Sequence, residues 1–364
     1  MPARSPEPAG PNGPSGIHRR KADHLDLCEG DEVSFRSTTT LLEHVTLLHQ
    51  SLPELSAEDV STEVELLGRR LRAPLVIAAM TGGHERAASI NRSLATLAQE
   101  RGLALGLGSQ RAMQRDPAMD WTYRVREWAP DILLLGNIGV VQARETSTKD
   151  LQSLVHNVGA DALCVHLNPA MELIQSDGDR DFRGCVQTLE RLCNELPFPI
   201  IAKETGNGMS PQTIEKLVRV GVRYVDTSGA GGTSWVGVET LRADGVRRSM
   251  GERLWDWGIP TAASVYYAAS ASLQTIATGG IRTGLDVARA ISLGACAAGM
   301  ARPLLQALNR DGEDGARARV DEVVHELRSV MLLTGSRTLD DLRAAPRIIS
   351  GDLEKWLAAS QRGA

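Results

Sequence analysis

Short runs of hydrophobic residues recur along the chain from residue 75 onward, and most are separated by segments long enough to form a helix. The eight runs are LVIAAM (75–80), LALGLG (103–108), ILLLGNIG (132–139), ALCVHLN (162–168), PIIAKETG (199–206), YVDTSG (224–229), LQTIATGG (273–280) and ACAAGM (295–300). Each run is continuously apolar rather than alternating, which predicts strands that are buried on both faces. Candidate helices at 89–101, 211–220 and 284–293 fill some of the gaps. The pattern indicates a parallel sheet covered by helices.

Eight strand–helix units of this size predict an α/β fold of the (β/α)8 TIM barrel type. An open, doubly wound sheet has similar punctuation and is the alternative. The barrel domain, with an N-terminal extension before the first strand, is predicted over 18–345, and the charged stretch 313–334 is expected to be helical. Residues 1–17 are rich in Pro, Gly and Ser and predict a disordered tail, so that folding begins near His18. Residues 346–364 are expected to form a helical tail.

One connection is longer than the others. Residues 230–272, between the sixth and seventh predicted strands, contain Trp235, Trp255 and Trp257. This insertion is a candidate lid or subunit contact. The alternative is a long connection stabilised by aromatic packing.

Charge and cysteine usage exclude several classes of protein. The 40 basic and 45 acidic residues are interspersed and give a net charge of -5, so there is no basic surface expected for nucleic acid or an anionic membrane. The five cysteines are scattered without CxxC spacing, which favours reduced thiols over disulfides or zinc. No apolar run approaches the roughly 18 residues of a membrane span, and the N-terminus does not resemble a signal peptide. We expect a cytoplasmic location.

Polar and glycine-rich residues follow the predicted strands at their C-terminal ends. The segments are AMTGG, GSQR, GNIG, HLN, AKETGNG, SGAGGT, TGGIR and GMAR. In a barrel these ends converge on one face, which carries the active site in essentially every characterised enzyme of this fold. Any single glycine pair is also explained by a turn that needs positive φ. The repeated placement predicts a shared active site.

Three of these segments predict a phosphate site. TGGIR (278–282) and GMARP (299–303) follow the last two strands, where such barrels commonly bind phosphate, and SGAGGT (228–233) offers further backbone donors. The sequence therefore indicates a cofactor or substrate that carries phosphate.

Lys203 ends a predicted strand in AKETG and is placed to face the N1–C2=O edge of a flavin. The alternative is a lysine held in a salt bridge within the barrel. Asn137 and Ser109 end neighbouring strands and are candidates for hydrogen bonds to the ring.

The segment HLNPAMELIQSDGDRDF (166–182) brings His166, Asn168 and Glu172 beyond the fourth strand. Oxygen ligands of this kind suit Mg2+, which needs only one or two protein ligands when substrate phosphates supply others. A solvated loop carboxylate is the alternative for Glu172. Arg20–Lys21 and Arg111 are candidates for binding a diphosphate, although the N-terminal pair also suits a solvated charge run.

Taken together, RRKADHL, AAMTGG, GLGSQR, NIG, HLNPAME with GDRDF, AKETGNG, DTSGAGGTSW, WGIPTA and TGGIRTG resemble the motifs of the type 2 isopentenyl-diphosphate isomerases, in order from about residue 19 to 303. The resemblance implies an FMN- and Mg2+-dependent interconversion of isopentenyl and dimethylallyl diphosphate without net redox change. It also implies reduced flavin, NADPH as the reductant, and a homo-oligomer, either a tetramer or an octamer.

The resemblance assigns roles by position. The implied FMN shell is Ala79, Met80, Thr81, Ser109, Asn137, Lys203, Ser228, Thr233, Gly280, Ile281, Arg282, Ala301 and Arg302. The implied diphosphate side is Arg20, Lys21, Ser109, Gln110, Arg111, His166 and Asn168, with Met171 beside the substrate. Glu172 matches the magnesium ligand, and Lys203, His166 and Met171 occupy the implied catalytic positions.

Met171 departs from the pattern of the family, which has glutamine at this position. A thioether cannot relay a proton, so three explanations compete: the flavin alone carries the proton, another group or water substitutes, or the substrate differs. Gln175, four residues later, is a possible substitute. Thr205 and Thr227 stand where the family pattern has valine, and these changes are nearly isosteric.

Two other functions are weighed against the isomerase. The first is another FMN-dependent oxidoreductase acting on a prenyl-diphosphate-like substrate. Oxidation of a 2-hydroxy acid is disfavoured because no His–Arg pair is evident late in the barrel, whereas reduction of an activated alkene stays open. The second is a flavin-binding protein without catalysis, which Met171 alone favours.

Overall fold

The computed structural model describes the main chain of residues 14–30 and 32–362, without the side chains of 14–20, 22 and 360–362. The first helix begins at Pro14, inside the predicted tail, so the expected start near His18 is about one turn late. The remainder of that tail, 1–13, lies outside the described residues.

The strands of the described residues are short. They are β1 (Val45–Leu47), β2 (Val64–Leu66), β3 (Arg69–Leu71), β4 (Leu75–Ile77), β5 (Ala104–Gly106), β6 (Leu133–Gly139), β7 (Ala162–His166), β8 (Ile200–Lys203), β9 (Tyr224–Asp226), β10 (Gln274–Ala277), β11 (Ala297–Met300) and β12 (Arg347–Ile349). Strands β4 to β11 form a closed parallel barrel in chain order. Every predicted run contains one barrel strand, and the closed ring excludes the open-sheet alternative.

The helices are α1 (Pro14–Glu29), α2 (Glu85–Arg101), α3 (Arg111–Arg115), α4 (Val140–Glu145), α5 (Thr148–Asn157), α6 (Pro169–Ile174), α7 (Cys185–Glu195), α8 (Pro211–Arg219), α9 (Trp235–Arg242), α10 (Gly245–Leu254), α11 (Thr261–Ser270), α12 (Gly284–Ser292), α13 (Arg302–Leu333), α14 (Leu339–Ala344) and α15 (Gly351–Arg362). Caps explain several starts: the side chains of Ser210 and Thr283 accept N–H bonds in the first turns of α8 and α12. Helix α13 is broken at Gly312, whose φ is 68°.

The β2–β3 hairpin closes the N-terminal end of the barrel. Leu66 and Leu71 are almost fully buried and pack with barrel-interior side chains such as Val76, Leu133 and Ile201. These residues lie at or near the starts of their strands, so the opposite, C-terminal end is left for a ligand.

A strand near the start of the barrel domain pairs with a strand near the end of the chain. Strand β12 pairs antiparallel with β1, with Val45 opposite Ile349. The predicted C-terminal tail is therefore a strand followed by a helix rather than helical throughout.

The insertion 230–272 folds as three helices, α9, α10 and α11. Trp255 is 2% exposed and its indole Nε1 donates to the carbonyl of Ser34 at 2.9 Å, whereas Trp257 is 64% exposed. Aromatic packing is thus present at Trp255. The role of the insertion as a lid or a subunit contact stays a prediction.

Candidate active site

A cavity of about 1170 Å³ opens at the C-terminal ends of the barrel strands. Residues that the sequence assigned to one site lie around it: Lys21, Ala79, Met80, Thr81, Ser109, Arg111, Asn137, His166, Asn168, Met171, Glu172, Lys203, Ser228, Thr233, Gly280, Ile281, Arg282, Ala301 and Arg302. The barrel therefore assembles nearly the whole predicted set, because parallel strands bring their C-terminal ends to one face.

Gln110 is placed elsewhere. It is 0% exposed and does not line the cavity. Its amide nitrogen donates to the carbonyl of Leu154 at 3.1 Å, and its amide oxygen accepts from the backbone N–H of Asn137 at 2.9 Å. Gln110 thus braces β6 rather than contacting a ligand. The side chain of Arg20 lies outside the described residues.

The glycine-rich loops after β9 and β10 touch each other through their backbones. A Cβ on Gly232 would lie 2.3 Å from the nitrogen of Gly280, and one on Gly279 would lie 2.1 Å from the carbonyl oxygen of Gly229. Gly279 and Gly280 also have φ values of 94° and 78°. Only glycine permits this approach, which leaves a concave backbone surface suited to an anion.

The N-terminal end of α13 adjoins this surface. The helix begins at Arg302, and Ala301, Arg302 and Pro303 all line the cavity. Its partial positive charge favours a bound phosphate. Arg282 lines the cavity as well, but its backbone N–H donates to the carboxylate of Asp286 at 3.0 Å and is not available to an anion.

Lys203 lines the cavity and is also ion-paired. Its ammonium lies 2.7 Å from Oδ2 of Asp226, and both side chains are less than a tenth exposed. The hydroxyl of Thr278 donates to the other oxygen of the same carboxylate. Lys203 is therefore a salt-bridged barrel lysine that also lines the cavity, and its contact with a flavin stays a prediction.

Glu204 fixes the loop that follows Lys203. The buried carboxylate accepts backbone N–H bonds from Thr205, Gly206 and Asn207 at 2.6, 2.8 and 2.6 Å. Burial raises the pKa of Glu204, and the three N–H donors oppose that shift. Sequence analysis treated AKETG as one motif and did not predict that Glu204 holds the loop while Lys203 lines the cavity.

His166 is hydrogen-bonded to Asn137, with Nδ1 2.8 Å from the amide oxygen. Because an amide oxygen only accepts, Nδ1 carries the proton and Nε2 is left as an acceptor. Burial, followed by the charge of Lys203, lowers the pKa of His166 to about 3. The ring is therefore neutral near pH 7.

Glu172 is 6% exposed and is not a solvated loop carboxylate. Its oxygens accept from Asn168 Nδ2 at 3.0 Å and from the backbone N–H of Asp179 at 2.7 Å. Burial raises its pKa. Within the described part of the chain, no cluster of three or more His, Cys, Asp or Glu side chains is arranged to hold a metal. A cation at Glu172 would thus draw its other ligands from other kinds of group, such as amide, backbone, water or diphosphate oxygens.

Lys21 joins helix α1 to the barrel mouth. Its ammonium donates to the carbonyl oxygens of Gly82 and Ser109 and lies 2.9 Å from the hydroxyl of Tyr123. The Tyr123 hydroxyl in turn donates to Ser109 at 2.8 Å. Lys21 is thus not part of a solvated charge run. Tyr123, which is 0% exposed, was missed because nothing in its local sequence marks it.

Arg111, Gln175 and Thr205 line the cavity, and each has a buried polar atom that makes no hydrogen bond within the described structure. These atoms are Nε of Arg111, Nε2 of Gln175 and Oγ1 of Thr205. Leaving such a group without a partner costs about 1–3 kcal/mol. Clustering of these groups around one cavity indicates that a bound molecule supplies the missing partners.

Comparison with known proteins agrees with this geometry. A family model described as FMN-dependent dehydrogenase matches residues 15–171 and 142–349. Curated relatives called isopentenyl-diphosphate delta-isomerase include those of Methanosarcina mazei, 40% identical over 95% of both chains, and Methanothermobacter thermautotrophicus, 43% identical over 95% of this chain and 97% of that one. The protein of that name from Synechococcus is 47% identical over 88% of this chain and 93% of its own. The chain belongs to the type 2 isopentenyl-diphosphate delta-isomerases.

Membership of the type 2 isomerases confirms the resemblance seen in the motifs. Solved structures show the same fold: a mandelate oxidase variant with an FMN adduct has a TM-score of 0.63 at 19% identity, covering 89% of this chain and 95% of its own. A putative lactate oxidase of Pediococcus acidilactici has a TM-score of 0.65 at 14% identity, covering 95% and 96%. At these identities the likeness shows the barrel alone.

No helix in the described residues is both long and apolar enough to span a bilayer.

Proposed function

We propose that this protein binds FMN and isomerises isopentenyl diphosphate to dimethylallyl diphosphate. The observation that carries the proposal is one cavity that joins a glycine-lined phosphate cradle, a strand-end lysine, two cationic side chains and a buried carboxylate. A simple flavin site would need no carboxylate at Glu172 and no cations at Lys21 and Arg111. The curated relatives carry the name of this activity.

The residues present fit FMN. The cradle formed by the loops after β9 and β10, with the N-terminal end of α13, suits its phosphate. Lys203 supplies a positive charge for an electron-rich ring edge, while Asp226 keeps that ammonium in place. When bound and reduced, FMN supplies a ring that can exchange protons with the alkene.

The reaction adds one proton to the terminal methylene carbon and removes one from the carbon next to the alkene, so no electrons are gained or lost. The chain's own part is to hold the substrate. Lys21 and Arg111 offer positive charge to the diphosphate, and Asn168 orients it. Met171 offers an apolar contact to the five-carbon tail.

The proposal includes Mg2+, with Glu172 as its protein ligand. One carboxylate is enough when diphosphate oxygens and water complete the coordination. NADPH as reductant, a homo-oligomer and a cytoplasmic location are the remaining parts of the proposal, and they rest on the family resemblance.

The purified protein, checked for FMN by its visible spectrum, would be incubated anaerobically with isopentenyl diphosphate, Mg2+ and catalytic NADPH. We expect dimethylallyl diphosphate at many turnovers per NADPH. The alternative reaction, reduction of a prenyl-diphosphate-like alkene, would consume one NADPH per product and yield a saturated chain. Protein that holds FMN but shows neither isomerisation nor proton exchange at the substrate would overturn the isomerase proposal.

A further inference from the structure

Gln175 is more enclosed than Arg111 and Thr205, the two other cavity residues described above with an unpartnered polar atom. Its side chain is 2% exposed, it lines the cavity, and its Nε2 makes no hydrogen bond within the described structure. An amide nitrogen can only donate, so the missing partner is an acceptor. A buried donor without an acceptor destabilises the ligand-free fold.

The main chain holds Gln175 in this position. Its backbone N–H donates to the carbonyl of Met171 at 3.0 Å, one turn earlier, and its carbonyl accepts from Nη2 of Arg180 at 2.8 Å. Both backbone groups are therefore used. The backbone thus fixes Gln175 on the cavity wall, where a ligand in the cavity can supply the missing acceptor.

Neighbouring groups indicate which ligand brings the acceptor. Gln175 shares the segment 166–182 with Asn168 and Glu172, which belong to the diphosphate side of the proposed function. Arg111 has an unpartnered N–H donor on the same cavity. An isopentenyl tail has no hydrogen-bond acceptor of comparable strength, whereas a diphosphate presents many oxygens.

Resting on the proposed function, we propose that Nε2 of Gln175 donates a hydrogen bond to the diphosphate of the bound substrate. Gln175 is then a substrate-binding residue. Its amide lies one helical turn after position 171, at which the family pattern has a glutamine and this chain has Met171. The contact also relieves the unsatisfied donor, so ligand binding and stability are coupled through this residue.

The test uses Gln175→Met, which keeps the length of the side chain and removes the amide, in the full-length protein. Gln110→Met is the matched control, since the Gln110 amide is fully partnered inside the protein. Thermal unfolding is measured without ligand, and calorimetry gives the Kd for inorganic pyrophosphate with Mg2+ and, separately, for FMN.

For Gln175→Met we expect a ligand-free Tm that is unchanged or raised by about 1–2 °C. The Kd for pyrophosphate should rise about tenfold and the Kd for FMN should stay the same. Gln110→Met should lower the Tm. A second variant, Gln175→Glu, places a carboxylate against the diphosphate and should weaken pyrophosphate binding further, by about 100-fold.

Unchanged pyrophosphate affinity in both Gln175 variants would overturn the inference, as would a loss confined to FMN, which would make Gln175 a flavin contact. A fall in ligand-free Tm equal to that of Gln110→Met would show a structural role instead. If wild-type protein isomerises isopentenyl diphosphate while the variants bind pyrophosphate normally, only this inference fails. If the Gln175 effects hold but no isomerisation occurs, only the proposed function fails.

Discussion

Lys203 and Asp226 end adjacent barrel strands and face each other across the register, with their charged groups 2.7 Å apart. Both side chains are nearly buried, and the Asp226 carboxylate also accepts from Thr278, the residue directly after β10. Three consecutive strands, β8, β9 and β10, are thus linked by one polar cluster. Its geometry keeps the Lys203 ammonium at the cavity wall.

Replacing Asp226 by Asn should leave the buried Lys203 charge without its partner. Breaking a buried ion pair from one side costs on the order of 3 kcal/mol, so we expect a loss of this size in the free energy of unfolding, measured in urea. The control is Glu215→Gln, which breaks the exposed ion pair with Arg219 and should change little. Equal effects in the two variants would contradict the structural weight given to the buried pair.

The barrel could be predicted from sequence because continuous apolar runs are a local signal, and each run contains a strand. The ion pair could not be predicted in the same way. Nothing in the segment YVDTSG marks Asp226 as an ion-pair residue, and its partner Lys203 lies 23 residues away in the sequence. Only the register of β8 against β9 brings the two together, and register is set by tertiary packing.

Gln110 shows a second limit of sequence reasoning. It stands between Ser109 and Arg111, which both line the cavity, yet its amide is buried against β6. Neighbouring residues in a loop point in different directions, and a motif does not encode which of them faces the ligand. For the same reason, the sequence did not predict the contact of Tyr123 with Lys21. Tyr123 directly follows the 3-10 helix Pro117–Thr122.

Gly279→Ala should disrupt the phosphate cradle. The new methyl group would lie 2.1 Å from the carbonyl oxygen of Gly229, and φ at this position is 94°. We expect FMN affinity, measured by quenching of flavin fluorescence, to fall at least about 100-fold, because the loops after β9 and β10 must separate. Gly30→Ala is the control, since its Cβ would meet nothing closer than 4.0 Å among the residues that the structure describes. Retained flavin affinity in the Gly279 variant would place the phosphate elsewhere.

His166 should make the ligand-free protein less stable in acid. The native ring has a pKa of about 3, against 6.5 for the free side chain, so between these values the unfolded chain binds a proton that the native state does not. Stability should fall as the pH is lowered through this window, and it should be fully retained above pH 6.5.

The measurement is urea unfolding between about pH 5 and pH 7, comparing wild type with His166→Gln, which removes the titrating group. The variant should lose less stability on acidification. His49→Gln, at an exposed histidine, controls for the change of residue type. The same slope in wild type and His166→Gln would show that other groups dominate the acid side.

Glu172 should make magnesium binding sensitive to pH. Burial raises the pKa of its carboxyl group, and Mg2+ binds only the ionised form, so affinity should fall as the pH is lowered towards that raised pKa. Glu172→Gln should abolish the magnesium dependence of diphosphate binding, read by calorimetry with and without the metal. Glu190→Gln, the same change on an exposed site of α7, should leave it intact. Magnesium dependence that survives in Glu172→Gln would assign the ion to other groups.

The substitution Met171→Gln tests how the methionine at this position, in place of the family's glutamine, affects turnover. The Met171 sulfur lies 3.7 Å from the amide nitrogen of Asn168, so an amide at position 171 has a hydrogen-bond partner in reach. It would restore a polar group beside the substrate, and we expect kcat for isopentenyl diphosphate to rise roughly tenfold with little change in FMN affinity. Met171→Leu keeps the position apolar and should behave as wild type. If leucine preserves turnover and glutamine lowers it, an apolar contact at this position is what the reaction in this chain requires.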